Sequence, residues 1–133
     1  MLGHTWRLRA SNTQNQAITV TIAARLFKFG ADGSVAWSTK QVLLNAASVP
    51  ATTGSTVSAT IDNANDKYLG AELTVEMTAA AATNGTGTLA VTLERSTDAG
   101  ATFPTQDLGE VVGAHTLLAA DATNLRARNY LIE

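Results

Sequence analysis

Hydrophobic and polar residues alternate with a period of two along much of this chain, most clearly between residues 72 and 94. The hydrophobic positions there are Leu73, Val75, Met77, Leu89, Val91 and Leu93. The polar positions beside them are Glu72, Thr74, Glu76, Thr88, Thr92 and Glu94. Successive side chains of a β-strand point to opposite faces, so this pattern predicts two strands, each with a buried hydrophobic face and a solvent-exposed polar face.

The same period predicts further short strands on both sides of this region. Their hydrophobic positions are Trp6 and Leu8; Ile18, Val20 and Ile22; Val35 and Trp37; and Val57, Ala59 and Ile61. The last segment carries Leu125, Ala127 and Leu131 on one face and Arg126, Arg128 and Tyr130 on the other. We expect the face that carries the two arginines to point outward.

No segment shows the hydrophobic period of an amphipathic helix. Turn-forming residues separate the strands, including Asp32-Gly33 and Asn84-Gly85, dipeptides that suit the positive φ angles of tight turns. Roughly eight short strands separated by such turns are typical of an all-β fold. We therefore predict a single antiparallel β-sandwich domain over residues 1–133, of the jelly-roll or another Greek-key type.

Composition excludes several classes of function. The chain has 133 residues, a formal net charge of −2 and no cysteine. A slightly acidic chain lacks the basic footprint of nucleic-acid binding, and without cysteine there are no disulfides, thiolate nucleophiles or cysteine metal ligands. No hydrophobic run approaches the roughly 20 residues of a membrane-spanning helix, and no signal-peptide pattern follows Met1. We expect a soluble protein whose partner is neither nucleic acid nor a membrane.

One stretch, Ser96-Thr97-Asp98-Ala99-Gly100-Ala101-Thr102-Phe103, resembles the Asp-box motif of sialidases and related propellers, with Phe103 in the place of tryptophan. In that family the motif is a structural turn away from the catalytic site. We expect Ser96 and Asp98 to bind backbone amides and Gly100 to adopt a positive φ. We also expect Phe103 to fold back over the turn. A single copy in so short a chain predicts a turn and not a sugar-cleaving site.

No arrangement of residues predicts catalysis, a cofactor or a metal ion. The two histidines, His4 and His115, lie near opposite ends of the chain, and no serine has the setting of an activated nucleophile. Asp62 and Asp66 are spaced as in a calcium loop, but the third and twelfth positions of the EF-hand pattern lack oxygen ligands here. We therefore expect no enzyme activity and a solvated turn at these aspartates, with a calcium site built from loop carbonyls as the alternative.

Arginines concentrate in the two terminal segments, where they share strand faces in pairs. Arg7 and Arg9 form one pair and Arg126 and Arg128 the other, together four of the nine lysine and arginine residues. Each pair can be a solvated face neutralised by carboxylates. Alternatively, the four arginines form a protein interface, because guanidinium groups bind carboxylates with two hydrogen bonds and are enriched at interfaces. These four residues are our candidate interface site.

The whole chain resembles small structural proteins of tailed-phage virions. The resemblance lies in the Ala/Thr-rich, cysteine-free and weakly charged β pattern, in Met1-Leu2-Gly3 at the start, and in Asn129-Tyr130-Leu131-Ile132-Glu133 at the end. The stretch from Leu93 to Pro104 is similar to turns of such virion β-sandwiches. The chain resembles most the decoration, or cement, proteins that bind the outside of capsids, many of which are jelly rolls.

That resemblance implies a non-enzymatic protein that binds and stabilises a phage capsid. Its partner would be the major capsid protein or another virion protein. It would form a homo-oligomer and reside in the virion after assembly in the host cytoplasm. Two other functions stay open. One is a neck, tail or baseplate component of the same virion, and the other is a carbohydrate-binding module, which would need an exposed aromatic residue such as Trp37 or Tyr130.

Overall fold

The computed structural model describes residues 5–96, 98–103, 110–122 and 125–133. In these residues, ten β-strands form two antiparallel sheets that pack face to face, which confirms the predicted β-sandwich. The strands are β1 (Thr5–Asn12), β2 (Ile18–Phe29), β3 (Val35–Trp37), β4 (Gln41–Val49), β5 (Gly54–Val57), β6 (Ile61–Asp62), β7 (Gly70–Ala79), β8 (Leu89–Ser96), β9 (Glu110–His115) and β10 (Arg126–Ile132). A 3-10 turn at Ala119–Ala122 precedes β10.

Each sheet is built from strands that are distant in sequence. The first sheet has the order β5-β1-β8-β9, with β6 also paired to β1. The second sheet has the order β10-β7-β2-β3, with β4 also paired to β2. The chain crosses repeatedly between the sheets, and among the strands of the described residues only β2–β3 and β8–β9 pair as consecutive strands. Long-range pairs such as β1 with β8 therefore hold the sandwich together.

The inward faces of both sheets form one hydrophobic core. The predicted core residues Leu73, Val75, Leu89, Val91 and Leu93 are at most 1% exposed, which confirms their positions. The core also contains Trp6, Leu8, Ile18, Val20 and Ile22, as the alternation in β1 and β2 predicts. On β7 the intervening Glu72, Thr74 and Glu76 keep partial contact with solvent.

The outer face of β8 differs from the prediction. Thr92 and Glu94 were expected in solvent, but their exposed fractions are 8% and 1%. β8 is a central strand of the first sheet, flanked by β1 and β9. Arg7 and Arg9 on β1 bind Glu94 and cover it. Alternation along a strand separates its two faces, but it does not show what covers the outer face.

The two faces of β10 are exchanged relative to the prediction. Tyr130 packs against the core and Ile132 is buried, whereas Leu131 is 61% exposed. Arg126 and Arg128 share the face of Tyr130 and Ile132, because side chains two residues apart lie on the same side of a strand. The arginines therefore share the inward-facing side of β10, but they lie at the edge of the sandwich and remain exposed, as predicted.

The predicted strand through Val57 and Ile61 is interrupted at Ser58. The backbone N–H of Ser58 donates to the Leu8 carbonyl at 2.8 Å, and its hydroxyl accepts the N–H of Leu8 at 3.0 Å. The Ser58 side chain thus takes the place of a strand partner and separates β5 from β6. Val57 lies opposite Arg9, on the outer face of the first sheet, so it is 37% exposed and does not join the core.

The Asn84-Gly85 connection forms a turn, as predicted. Gly85 has a φ of 71°, and the Asn84 side-chain carbonyl accepts the N–H of Thr86 at 3.1 Å. The strands that this turn joins do not pair, because β7 belongs to the second sheet and β8 to the first. The turn carries the chain across the sandwich.

Candidate functional site

Ser96 and residues 98–103, which the structure describes, form the predicted turn after β8. The Ser96 hydroxyl accepts the N–H of Gly100 at 2.8 Å, and Gly100 has a φ of 92°. The Asp98 carboxylate accepts the Ser96 hydroxyl at 2.6 Å and both the N–H and the hydroxyl of Thr102 at 2.8 and 2.5 Å. These bonds, that from Ser96 above all, favour the charged carboxylate and lower the pKa of Asp98 to about 2. The motif is therefore a turn stabilised by its own side chains.

Arg7 and Arg9 converge on one carboxylate, Glu94, on the outer face of the first sheet. Arg7 Nε donates to Oε2 at 2.7 Å, and Arg9 Nε donates to Oε1 at 2.6 Å. Burial acts to raise the pKa of Glu94, but the hydrogen bonds and positive charges of Arg9 and Arg7 outweigh it and lower the pKa. The two guanidinium groups thus keep Glu94 ionised, and the carboxylate holds both arginines against the sheet.

This cluster also contacts the turn after β8. The ring centre of Phe103 lies 4.0 Å from the central guanidinium carbon of Arg7, within the range of a cation–π interaction. Arg9 donates a second hydrogen bond from Nη1 to the Ser55 hydroxyl at 3.1 Å. The side chains of Arg7 and Arg9 are only 22% and 19% exposed. Their role at an interface stays a prediction. It would depend on the guanidinium N–H groups that take part in none of these contacts.

Arg126 and Arg128 line a cleft of about 360 Å³ at the edge of the sandwich, where β9 meets β10. The polar lining residues are His115, Thr116, Asp121, Arg126 and Arg128. The apolar lining residues are Met77, Ala114, Leu117 and Leu118. The four candidate interface arginines therefore divide into two clusters, one on Glu94 and one in this cleft.

Asp121 is buried and anchors one side of the cleft. Its Oδ2 accepts the backbone N–H of Leu118 at 2.7 Å, and its Oδ1 accepts Nε of Arg126 at 2.5 Å. The N–H of Asp121 donates to the Leu118 carbonyl at 2.9 Å and closes the 3-10 turn. The bond from Leu118, supported by the bond and charge of Arg126, outweighs burial and lowers the pKa of Asp121. Arg126, whose side chain is 48% exposed, is thereby paired with a buried carboxylate.

His115 and Tyr130 form the opposite side of the cleft region, with the Tyr130 hydroxyl hydrogen-bonded to Nε2 of His115. Burial lowers the pKa of His115, and the positive charge of Arg128 lowers it further. Burial raises the pKa of Tyr130, although Arg128 opposes the change. Both side chains are therefore uncharged near neutral pH. The tautomer of His115 decides which of the two groups donates in this bond.

Exposed hydrophobic side chains form a strip on the outer face of the second sheet. We call Phe29, Val35, Trp37 and Leu131 the apolar strip; their exposed fractions run from 43% for Trp37 to 61% for Leu131. Phe29 lies opposite Val35 across β2 and β3, and Trp37 and Leu131 line the same shallow depression. Phe27 lies opposite Trp37, with 5.2 Å between the two ring centres. The four side chains share this face, but Glu72 on β7 and Arg25 on β2 lie in the row between Leu131 and β3.

Charged and polar side chains lie among the residues of the apolar strip. The guanidinium carbon of Arg25 lies 5.2 Å from the ring centre of Trp37. Glu72 and Asn129 line the depression of about 330 Å³ beside Trp37. Exposed hydrophobic patches mark binding surfaces, and here Arg25 and Glu72 lie within the patch, between Leu131 and β3.

The remaining chemistry considered from the sequence has little structural support in the described ranges. Among those residues, no group of three or more histidine, cysteine, aspartate or glutamate side chains is placed to hold a metal ion. Asp62 Oδ1 accepts the N–H of Ala64 at 2.9 Å, the bond of a polar turn. His4 lies outside the described residues. In the same part of the chain, no helix is long and apolar enough to cross a bilayer.

Sequence reasoning missed three of these features. The roles of Glu94 and Asp121 depend on arginines that only the fold brings to them. The apolar strip did leave a signal, since Phe29 and Val35 flank the Asp32-Gly33 turn at positions that pair across a hairpin, and both are hydrophobic.

No protein-family model, curated protein or solved structure matches this chain. Its function must therefore be inferred from the fold, the apolar strip and the cleft.

Proposed function

We propose that this chain is a non-enzymatic structural protein of a phage virion, a decoration protein that binds the outside of the capsid and stabilises it. The observation that carries the proposal is the apolar strip on the outer face of the second sheet. Docking of this face onto the major capsid protein, or onto another virion protein, would remove Phe29, Val35, Trp37 and Leu131 from water. The choice of partner rests on the resemblance of the sequence, above all of Leu93 to Pro104, to virion proteins.

Few residues need to supply the binding energy. Large aromatic side chains at the centre of an interface dominate its affinity, so we expect Trp37 and Phe29 to contribute most. A homo-oligomer would bind several equivalent positions at once, and its avidity would exceed that of one contact by roughly 10² or more. The predicted interface arginines lie away from the apolar strip, Arg7 and Arg9 on the first sheet and Arg126 and Arg128 in the cleft. Their uncommitted N–H groups would therefore pair with carboxylates of a neighbouring virion protein and not with the surface that the strip covers.

The test mixes the purified protein with capsid shells assembled without it from the major capsid protein encoded near its gene. Bound copies are counted, and the temperature at which the shells rupture is measured. We expect saturable binding at symmetric positions and a higher rupture temperature. Trp37→Ser should weaken binding by about tenfold or more. Val111→Ser, which changes an exposed valine on β9 outside the strip, is the matched control and should bind normally.

The same experiment separates the locations within a virion. Binding to isolated necks, tails or baseplates but not to shells would assign the protein to that part of the particle. Binding to no virion component would reject the proposal.

A second candidate, a carbohydrate-binding module, is supported by the depression beside Trp37. An exposed aromatic ring next to the Glu72 carboxylate and the Asn129 amide can pack on a sugar and bind its hydroxyl groups. Attachment to a protein is favoured because Arg25 and Phe27 both lie 5.2 Å from the Trp37 ring and engage part of it. Glycan-array binding that Trp37→Ser abolishes, without any binding to shells, would favour the carbohydrate function.

A further inference from the structure

We propose that the cleft between β9 and β10 binds a carboxylate group carried on a short apolar body. This site goes beyond the attachment function and is separate from the apolar strip. Arg126, Arg128 and His115 line its polar side, and Met77 and Leu117 belong to its apolar side.

The charges in the cleft leave one positive group without an opposite charge. Two guanidinium groups face a single carboxylate, Asp121, which Arg126 binds at 2.5 Å. In the part of the chain that the structure describes, Arg128 forms no ion pair, and its Nη1 donates to the Ala127 carbonyl at 3.1 Å. His115 adds no charge near neutral pH. A monoanion would bring the net charge of the cleft to zero. A doubly charged phosphate would bring excess negative charge close to Asp121.

The polar groups of the cleft offer hydrogen-bond donors to an acceptor. Arg126 uses Nε for Asp121, which leaves its two Nη groups for a ligand. Arg128 retains donors on Nε and Nη2, and a guanidinium binds a carboxylate through two parallel N–H groups. His115 also lines the cleft, and its Nε2 is occupied by Tyr130. A carboxylate, which only accepts hydrogen bonds, satisfies this set better than a neutral polar group does.

The apolar lining and the volume of the cleft determine the chemistry and size of the group that carries the carboxylate. Leu118, which is 54% exposed, would remove part of a hydrocarbon body from water, above a floor formed by the buried Met77 and Leu117. The cleft volume of about 360 Å³ is near the lower end of the roughly 300–1,000 Å³ found for small-molecule pockets. Benzoate or hexanoate has the appropriate size. The same chemistry occurs in free organic acids and at the C-terminus of a protein chain with an apolar last residue.

The test titrates the full chain with benzoate and hexanoate at neutral pH, and with benzamide and hexanamide as uncharged counterparts. NMR signals of the His115 ring and of the arginine side chains report binding at the cleft. We expect saturable shifts with the carboxylates and none with the amides. Arg128→Gln should weaken carboxylate binding by about tenfold or more, since a charge-assisted pair is lost. Arg25→Gln, on the outer face of the second sheet, is the matched control and should bind normally.

A short peptide with an apolar last residue, compared with its C-terminally amidated form, distinguishes the two sources of the carboxylate. Tighter binding of the free peptide than of the small acids indicates a protein tail, and binding of the small acids alone indicates an organic acid. The proposal is overturned if no carboxylate saturates the site, if inorganic phosphate binds more tightly than benzoate, or if Arg128→Gln and Arg25→Gln bind equally. Failure of the carboxylate site would not contradict the proposed binding to shells, because the shell experiment tests the apolar strip through Trp37.

Discussion

Arg7 and Glu94 lie directly opposite each other on β1 and β8, and their side chains form an ion pair of 2.7 Å on the outer face of the first sheet. Arg9, two residues farther along β1, binds the other carboxylate oxygen at 2.6 Å. Phe103 packs on the Arg7 guanidinium and links the pair to the turn after β8. The cluster therefore connects the two central strands of this sheet with the turn that follows them.

We expect Glu94→Gln to lower the free energy of unfolding by about 3 kcal/mol, since it leaves two largely buried guanidinium groups without an opposite charge. Urea unfolding at neutral pH measures this change. Glu76→Gln, on the partly exposed outer face of β7, is the matched control and should change stability by no more than about 0.5 kcal/mol. Equal effects of the two substitutions would show that the cluster does not stabilise the fold.

Asp98 should contribute to the acid sensitivity of the protein. Its pKa is about 2 in the folded chain, below the ordinary 3.8, so its stabilising effect is complete above the unfolded value and is lost as the pH falls through about 2. We expect Asp98→Asn to melt at a lower temperature than the wild type at neutral pH. The difference should shrink as the pH falls from about 4 to 2. Thermal melts across this range test it, and a difference independent of pH would contradict it.

Truncation of the core residue Leu89 to alanine should cost roughly 2–5 kcal/mol, because it leaves a cavity between the two sheets. Leu131→Ala provides the matched control, since Leu131 is 61% exposed and its truncation should have an effect below about 0.5 kcal/mol. Denaturant unfolding of both variants measures the difference. A small loss for Leu89→Ala would place this side chain near the surface and contradict the packing of β8.

Treatment with a chelator should leave the melting temperature unchanged. Asp62 binds the N–H of Ala64 within a polar turn, an arrangement that needs no ion. Thermal melts with and without chelator test this expectation. A large fall in melting temperature that calcium reverses would restore the alternative of a calcium site at Asp62 and Asp66.

Local sequence patterns account for the strands and turns. The alternation in β7 and β8 identifies their core residues, because burial of one face of a pleated strand imposes a period of two on its side chains. The turn at Ser96–Phe103 is equally local, since Ser96, Asp98 and Thr102 bind one another within a few residues. Both features depend on neighbours in sequence, so they can be predicted without knowledge of the rest of the fold.

The pairing of strands depends on the whole fold. β7 and β8 are joined by a turn with hairpin chemistry, yet they lie in different sheets because β7 pairs with β2 and β10, whereas β8 pairs with β1 and β9. Each strand offers backbone hydrogen bonds on both edges, and its side-chain period is the same whichever strand lies beside it. The sequence pattern therefore does not identify the partner.

For the polar residues of the candidate sites, too, the sequence predicts the strand position, but the tertiary structure decides the surroundings. Glu94 has the spacing of a solvent-exposed residue, but two arginines about 85 positions away in the chain cover it. Arg128 has the spacing of an outward-facing residue, but the burial of Ile132 turns that face of β10 inward and places the arginine in the cleft. The free energy of a charged side chain depends on burial and on nearby opposite charges, and only the tertiary structure sets both.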